Sequence, residues 1–332
     1  SLGDLMNMDI LLQVNNLRKL FAAGRTGLFW GADRFVHAVD GVSFDLQRGE
    51  ILALVGESGC GKTTLALTLL GLETPSAGSI LFEGNDATFL TGEKLKALRR
   101  KIQMVFQDPY ESLNPTQTIM EIVSEPLYVH GLAATPEKVR EEVIQAMEDA
   151  GLKPADTYLE RFPHELSGGQ RQRVVIAGAL VLDPVLLLAD EPVSMLDVSI
   201  RAEILNLLAE LREKMGISCI FITHDLGTVS YVADRIAVMY LGRVVELGPT
   251  IQVLQQPLHP YTKALLSVVP VPNPRLRKDR IILQGETPNP IDPPKGCRFH
   301  PRCPVAMDRC RVEDPTDSLE MREHWAACWL VY

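Results

Sequence analysis

Four short, continuous apolar runs recur along the chain. An uninterrupted run of this kind, bounded by glycine or polar residues, is typical of a strand that is buried on both faces of a sheet. Longer stretches with helical character separate the runs, and this alternation predicts parallel β/α units and an α/β fold. The predicted strands cover residues 51–55, 185–188, 219–222 and 236–239.

The segment between Gln107 and Ser167 changes to a helical pattern. Thr135-Pro136 is typical of a helix start, because proline fits the first helical position, and Gly151 marks a stop. We therefore expect a helical subdomain over about residues 108–166, inserted into the α/β domain. The apolar residues at helical spacing are Val139, Val143, Ile144, Met147 and Ala150.

Proline becomes dense after about residue 250, with nine prolines between positions 257 and 294. Because proline can continue neither a regular helix nor a central strand, this change in composition predicts a domain boundary near residue 250. The expected organisation is an α/β domain over residues 1–250. A small, irregular extension rich in proline and cysteine would follow over residues 251–332.

Composition excludes several classes of protein. The 332 residues are 46% hydrophobic and 23% charged, which is ordinary for a soluble globular chain of about two domains. The net charge of −9 lacks the basic excess of a nucleic-acid binder, although a local basic patch stays open. The longest apolar run, Val174 to Leu182, is far short of the roughly 20 residues of a membrane span. Asp4 and Asp9 argue against a signal peptide, so we expect any membrane role to depend on a partner.

A glycine-rich segment after the first predicted strand fits G-x-x-x-x-G-K-[ST], the P-loop. Its glycines let backbone N–H groups approach phosphate oxygens, and the following helix directs its positive dipole end to the same place. Lys62 would contact the β- and γ-phosphates, the Thr63 hydroxyl would ligate Mg²⁺, and Thr64 is a further candidate contact. A chance match is the alternative, but the position between a strand and a helix disfavours it. The motif comprises Gly56, Glu57, Ser58, Gly59, Cys60, Gly61, Lys62 and Thr63.

The predicted strand at 185–188 leads into two carboxylates, Asp190 and Glu191. Acids at the carboxyl end of a buried strand suit a metal–nucleotide site. Asp190 would hold Mg²⁺, and Glu191 would accept a proton from the attacking water or orient it. Alone, such a pair is more often a solvated turn, but the upstream P-loop favours the catalytic interpretation.

Leu166-Ser167-Gly168-Gly169-Gln170 precedes an apolar helix. Two glycines at a helix start let main-chain N–H groups approach an anion, whereas Ser167 is equally a good N-cap residue. The residues alone do not decide between anion binding and capping.

Together these segments resemble the ATP-binding cassette (ABC) ATPases over roughly residues 10–250, a P-loop NTPase fold. The resemblance implies that residues 166–170 are the family signature, with Ser167, Gly168, Gly169 and Gln170 touching ATP held by a second subunit. It also implies that residues 194–197 are the D-loop, ending at Asp197, and that His224 contacts the γ-phosphate. Gln107 would sense Mg²⁺ and the attacking water. Phe21 would stack on adenine, with Trp30 and Phe35 as alternatives.

The end of the chain is similar to the C-terminal extension of oligopeptide and dipeptide permease ATPases, over about residues 257–330. The matching segments are 259–266, 285–290 and 296–303. The resemblance implies a peripheral ATPase on the cytoplasmic face of the membrane, paired with a second ATPase subunit that is either a second copy or a paralogue. Two transmembrane permease subunits and, indirectly, an extracytoplasmic solute-binding protein would complete an importer. Nickel and oligosaccharide importers share this extension, so the substrate stays open.

Non-transport ATPases that act on DNA or ribosomes are the rival class. Chromosome-type relatives insert a long coiled coil between P-loop and signature, but only 104 residues separate Lys62 from Ser167 here. Translation-factor relatives carry two cassettes in one chain, whereas this chain has one. We therefore expect no nucleic-acid partner.

Four of the six cysteines fall within the last 36 residues, with spacing C-x5-C-x6-C-x17-C. Four thiolates can complete a tetrahedral zinc site or hold an iron–sulfur cluster, but these gaps match neither typical pattern. Because some ATPases with a similar extension carry a [4Fe-4S] cluster, the resemblance favours iron–sulfur. Zinc, with His300 replacing one thiolate, and four reduced cysteines are the alternatives. The cysteines are Cys297, Cys303, Cys310 and Cys328.

Overall fold

The computed structural model describes residues 10–25, 33–269, 280–318 and 322–331. The chain divides into two compact units. The first unit takes in the described parts of segments 1–46, 52–89 and 223–332, and the second takes in 47–51 and 90–222.

Eleven strands lie within the described ranges. They are β1 (Ile10–Arg25), β2 (Asp33–Gln47), β3 (Ile51–Val55), β4 (Ala77–Phe82), β5 (Asn85–Asp86), β6 (Ile102–Val105), β7 (Leu186–Asp190), β8 (Ser218–Thr223), β9 (Arg235–Tyr240), β10 (Arg243–Pro249) and β11 (Trp325–Ala326). The α-helices are α1 (Lys62–Leu69), α2 (Gly92–Lys101), α3 (Pro109–Ser112), α4 (Ile119–Val129), α5 (Pro136–Asp149), α6 (Gly168–Leu180), α7 (Val198–Met215), α8 (Leu226–Val229), α9 (Thr250–Gln255) and α10 (Pro260–Ser267). Short 3₁₀ helices occur at Ala155–Thr157, Pro163–Glu165, Asp308–Arg311 and Pro315–Ser318.

The first unit contains two sets of strands. One is an antiparallel sheet in the order β2-β1-β4-β5, and the other follows the order β11-β10-β9-β3. Within the second set β3 is parallel to β9, with Leu54 opposite Ala237, whereas β10 is antiparallel to β9 and to β11. Every residue of β3 is buried, as a strand covered on both faces requires.

The second unit contains the parallel strands β8, β7 and β6 in neighbouring positions. All residues of β7 and β8 are buried. The apolar runs therefore became strands where the sequence predicts them. β3 has the predicted bounds, and the bounds of β7, β8 and β9 differ from the predicted ones by one or two residues. The predicted α/β fold is confirmed.

The helical part of the second unit follows β6 and contains α3, α4 and α5. The Thr135 hydroxyl accepts a hydrogen bond from the Lys138 N–H, Pro136 takes the first helical position, and α5 stops just before Gly151, whose φ is +81°. Val139, Val143 and Met147 are buried where α5 packs against α4 and α6. No helix in the described ranges combines the length and the hydrophobicity needed to cross a bilayer.

The C-terminal extension begins with two short helices, α9 and α10, which the proline pattern does not predict. Pro260 is compatible with α10 because it occupies the first turn. The rings of Tyr240 in β9, Tyr261 in α10 and Phe299 lie 4.8–5.4 Å apart and belong to one buried cluster. This buried cluster holds residues from both sides of position 250, and a domain boundary there stays a prediction.

Candidate functional site

The P-loop lies in the first unit, between β3 and α1. Gly61 precedes α1 with φ +105°, a left-handed conformation that disfavours other residues. A Cβ at Gly56 would lie 2.2 Å from the carbonyl oxygen of Met239, so the backbone of β9 excludes any side chain there. The motif glycines are therefore required by this local geometry.

Lys62 is folded back onto the loop. Its Nζ donates hydrogen bonds to the carbonyl oxygens of Gly56 (2.8 Å) and Glu57 (3.1 Å), and the residue is only 6% exposed. Ser58 and Thr63, by contrast, are exposed, so the loop and the first turn of α1 remain open to solvent. An arriving phosphate would meet backbone N–H groups, a helix N-terminus and an ammonium group whose present partners are neutral.

Two other P-loop side chains have distinct environments. Burial raises the pKa of the Cys60 thiol, although the Lys62 charge opposes this, so the thiol stays neutral in the loop. Thr64 is half-buried in the first turn of α1.

Glu57 makes contacts that the sequence analysis missed. Its N–H donates to the Tyr261 hydroxyl at 2.9 Å, and its carboxylate is paired with the guanidinium of Arg302. These partners lie 204 and 245 positions further along the chain. Since both are in the C-terminal extension, the extension contacts the P-loop of its own chain directly.

In the second unit, β7 ends at Asp190, whose carboxylate is buried. Glu191 follows with φ +46°, a strained conformation for a residue with a side chain. Its N–H donates to the Ile222 carbonyl oxygen (2.9 Å), and its own carbonyl oxygen accepts from the Ser194 hydroxyl (3.1 Å). These bonds hold the backbone in the strained conformation.

The structure brings Gln107 and Glu191 together. The Gln107 Nε2 donates to the Glu191 Oε2 at 3.2 Å. Glu191 is half-buried, and Gln107 is exposed at the end of β6. This hydrogen bond fixes the orientation of the Glu191 carboxylate.

The predicted signature forms the start of α6. The Ser167 hydroxyl accepts from the Gln170 N–H (3.3 Å), and the Gln170 side chain accepts from the Ser167 N–H (3.0 Å). The capping interpretation is therefore confirmed, while the contact with ATP stays a prediction. A Cβ on Gly169 would lie 2.7 Å from the Ile200 Cγ2 in α7, so this residue must be small.

Asp197 begins α7 close to the signature helix. Its carboxylate accepts from the Ile200 N–H at 3.1 Å, and this bond, with a further one from the Ser199 hydroxyl, lowers the pKa of Asp197. Asp197 is exposed, and its contact with a second subunit stays a prediction.

The remaining nucleotide-site predictions are less constrained. His224 follows β8 and is exposed. Phe21 is half-buried in β1 with the Lys19 Nζ at 4.7 Å from its ring centroid, and Phe35 is 39% exposed. Trp30 lies outside the described residues. Adenine stacking by Phe21 and phosphate contact by His224 therefore stay predictions.

The four clustered cysteines are free thiols. Burial raises the pKa of Cys297 to about 12, and the other three thiols add to this rise, so the four are near neighbours. Within the described ranges, however, no group of three or more His, Cys, Asp or Glu side chains is placed to hold a metal ion. His300, the alternative zinc ligand, instead places its Nδ1 2.9 Å from the Cys297 carbonyl oxygen. The described arrangement therefore does not itself show an iron–sulfur or a zinc site.

Comparisons with known proteins agree with the motif geometry. The ABC transporter family model matches residues 39–194, and the model of the oligopeptide/dipeptide transporter C-terminal region matches residues 245–310. The oligopeptide transport ATP-binding protein AppF of Bacillus subtilis is 48% identical over 98% of both chains. The chain belongs to the ABC ATPase family. Like other ABC ATPases, it is an ATP-hydrolysing enzyme.

Further relatives and structures support the assignment to the ABC ATPases. The dipeptide transport ATP-binding protein DppF of Haemophilus influenzae is 50% identical over 92% of both chains. A dimeric ATP-binding cassette in a post-hydrolysis state, bound to ADP and phosphate, superposes with a TM-score of 0.63 at 29% identity, covering 72% of this chain and 99% of that one. CbiO1 of Clostridium perfringens, part of an ABC transporter complex, has a TM-score of 0.64 at 32% identity, covering 75% and 92%.

Proposed function

We propose that this ABC ATPase is the ATP-hydrolysing subunit of a di- or oligopeptide importer. The observation that carries the proposal is the presence of both the cassette and the peptide-transporter C-terminal region in one chain. Relatives named as oligopeptide and dipeptide transport proteins are 48% and 50% identical to this chain over 98% and 92% of its length. Nickel and oligosaccharide transport are the alternatives that the experiment must separate.

The proposed chemistry is in-line attack of water on the γ-phosphate of ATP. The P-loop would bind the phosphates, and Glu191, oriented by Gln107, would accept the proton of the attacking water. His224 would contact the γ-phosphate. Residues 167–170 and Asp197 would face the ATP of a second ATPase subunit, so that two subunits enclose two ATP molecules.

Mg²⁺ would be held by Thr63, Asp190 and Gln107 together with ATP. Mg²⁺ prefers oxygen ligands and takes few of them from protein when phosphates supply the rest, which suits one hydroxyl, one carboxylate and one amide. When bound, it neutralises charge on the β- and γ-phosphates. The exposed Thr63 hydroxyl and the buried Asp190 carboxylate are chemically suited to that role.

The proposed assembly places this chain on the cytoplasmic face of the membrane as a peripheral subunit. Its partners are a second ATPase, either a second copy or a paralogue, and two transmembrane permease subunits. A solute-binding protein outside the membrane would deliver the substrate to the permease. The proposed assembly is supported by the names of the relatives, which describe them as ATP-binding proteins of oligopeptide and dipeptide transport.

The test is transport by the reconstituted complex. The chain is purified with the second ATPase and the membrane subunits and placed in proteoliposomes, with the solute-binding protein on the side opposite ATP. Uptake of a labelled dipeptide and a labelled tetrapeptide is then measured with ATP on the cytoplasmic side. Peptide uptake that requires ATP and is lost in a complex carrying Glu191→Gln supports the proposal. Uptake of nickel or of an oligosaccharide without peptide uptake contradicts the proposed peptide substrate. ATP hydrolysis without any transport contradicts the proposed role in an importer.

A bound iron–sulfur cluster, with zinc as the alternative, is a separate proposal. It is supported by the proximity of the four thiols and by the hydrogen bond from the Cys297 N–H to the Cys310 carbonyl oxygen at 2.9 Å, which joins two of them. The sulfurs would have to move to converge on a metal. Anaerobically purified protein should be brown, absorb near 400 nm and contain about four irons per chain. Colourless, iron-free protein overturns the cluster, and zinc analysis of the same sample then decides between zinc and reduced cysteines.

A further inference from the structure

Arg302 in the C-terminal extension pairs with Glu57 in the P-loop through two hydrogen bonds. The Arg302 Nη1 lies 2.7 Å from the Glu57 Oε2, and the Nη2 lies 3.2 Å from Oε1. The Thr287 hydroxyl donates to the same Oε2 at 3.0 Å. The Arg302 side chain is only 9% exposed and that of Glu57 is 30% exposed, so this pair is not an ordinary surface ion pair.

The segment that carries Arg302 is itself fixed against the core. Phe299 is buried within the aromatic cluster of Tyr240 and Tyr261. The neighbouring Arg298 is buried, forms an ion pair with Asp40 and donates to a backbone carbonyl oxygen. Arg302 therefore reaches Glu57 from a rigid support rather than from a free surface loop.

Charge explains why such a contact matters for ATP. Glu57 is the second residue of the P-loop, so its carboxylate belongs to the loop that would bind a ligand with several negative charges. Like charges a few ångströms apart repel, and a guanidinium in bidentate contact offsets that repulsion. The Tyr261 hydroxyl, which accepts from the Glu57 N–H, holds the backbone at the same residue.

We infer that Arg302 is a positioning residue for ATP binding, which neutralises Glu57 and fixes its side chain in the P-loop of the same chain. The extension thereby completes the nucleotide site. A purely structural staple between the extension and the core is the competing explanation. The inference rests on ATP binding by this P-loop, and the two explanations differ in what they predict for Glu57.

The experiment is a double-mutant cycle on the full chain, with the Kd for ATP measured by calorimetry and KM and kcat from phosphate release. Arg302→Gln should raise the Kd about tenfold and should raise KM more than it lowers kcat. Arg302→Lys, which keeps the charge but not the fork geometry, should raise the Kd about threefold. In a Glu57→Gln background, Arg302→Gln should change the Kd less than twofold, because no charge remains to neutralise.

The matched control is Arg309→Gln in the same extension. Arg309 also pairs with a carboxylate at 2.7 Å, but that partner, Glu313, lies four positions away within the extension itself. This variant should bind ATP as the wild type does, so a Kd rise equal to that of Arg302→Gln overturns the inference.

Three other results overturn it as well. These are an unchanged Kd in folded Arg302→Gln, an equal Kd rise with and without the Glu57 carboxylate, and a fall in kcat at constant KM. If Arg302→Gln does not fold, Arg302→Lys decides, since an unchanged Kd there also overturns the inference. A wild-type chain that binds no ATP would overturn the ATPase function itself, whereas wild-type binding without an Arg302 effect overturns only this inference.

Discussion

His259 is a buried histidine whose protonation should couple folding to pH. It is 1% exposed at the start of α10, where its Nδ1 accepts a hydrogen bond from the Tyr261 N–H at 3.1 Å. Burial, reinforced by the nearby charge of Lys263, lowers the pKa of His259 to about 3. The neutral ring therefore caps the helix that carries Tyr261 to the P-loop.

The lowered pKa of His259 determines the direction and the size of the change in folding stability with pH. In the unfolded chain histidine takes up a proton near pH 6.5, whereas in the folded protein His259 stays neutral down to about pH 3. The stabilisation is thus complete above pH 6.5 and is lost as the pH falls from 6.5 towards 3. Between pH 8 and pH 5 the contribution of this one group falls by about 2 kcal/mol.

The perturbation is His259→Asn, which keeps a capping acceptor but cannot titrate. Urea unfolding is followed by the fluorescence of Trp325 and Trp329, which lie in the same unit as His259. The variant should be less stable at pH 8 because it packs less well against Phe299, whose ring centroid lies 5.5 Å from that of His259. Its stability should, however, fall by about 2 kcal/mol less than that of the wild type between pH 8 and pH 5.

The control is His164→Asn, which replaces an exposed histidine and should leave the wild-type pH profile intact. Parallel profiles for His259→Asn and the wild type would show that His259 is protonated with an ordinary pKa in the folded protein. The assigned role of burial would then be refuted.

Three further substitutions test the nucleotide site. Glu191→Gln should lower the ATPase rate about 10²–10⁴-fold with a nearly unchanged Kd for ATP, and a variant retaining half of the wild-type turnover would contradict its role. Lys62→Ala should weaken ATP binding about 10–100-fold, the scale of a lost charged hydrogen bond, and an unchanged calorimetric Kd would contradict that. Gly56→Ala should lower Tm and abolish ATP binding, because its Cβ would lie 2.2 Å from the Met239 carbonyl oxygen. Its control is Gly178→Ala, where no atom beyond the chain neighbours and the backbone of the same helix lies within 4 Å of the new Cβ, and this variant should retain both properties.

The elements that sequence reasoning located best are those whose burial is uniform. β3, β7 and β8 are covered on both faces, so an unbroken apolar run is sufficient evidence for a strand. Helix α5 could be predicted equally well from the sequence, because its capping residues and the spacing of its apolar residues are local properties of the chain.

The antiparallel sheet of the first unit escaped prediction for a physical reason. In β1, Leu12 and Val14 lie opposite Phe82 and Ile80, but the register shifts between Asn15 and Arg18. A bulge of this kind moves the later side chains to the other face, so the alternation typical of a half-buried strand is interrupted. The amino-acid sequence shows that the alternation is interrupted, but it does not show the partner strand, β4, that would explain the interruption.

The residues of the candidate site also fall into two groups, those within a recognisable sequence motif and those that act through a long-range contact. Gln107, Glu191 and the signature residues carry family motifs, and the sequence pointed to each of them. Tyr261 and Arg302 carry no motif of nucleotide chemistry, because they act on the P-loop only through a contact made across more than 200 positions. The sequence around residue 302 cannot reveal such a contact, because neither the spacing nor the composition of that segment depends on which residue stands at position 57.

That separation has a consequence for biosynthesis. A ribosome adds about 5–20 residues per second, so about 12–50 s pass between synthesis of Glu57 and synthesis of Arg302, 245 positions later. The nascent P-loop lacks Met239 and Tyr261 for most of that interval and lacks Arg302 for all of it. The growing chain must therefore remain unaggregated while β3 lacks its partner β9, which is complete at Tyr240. The P-loop gains its contact with Arg302 only 62 residues later.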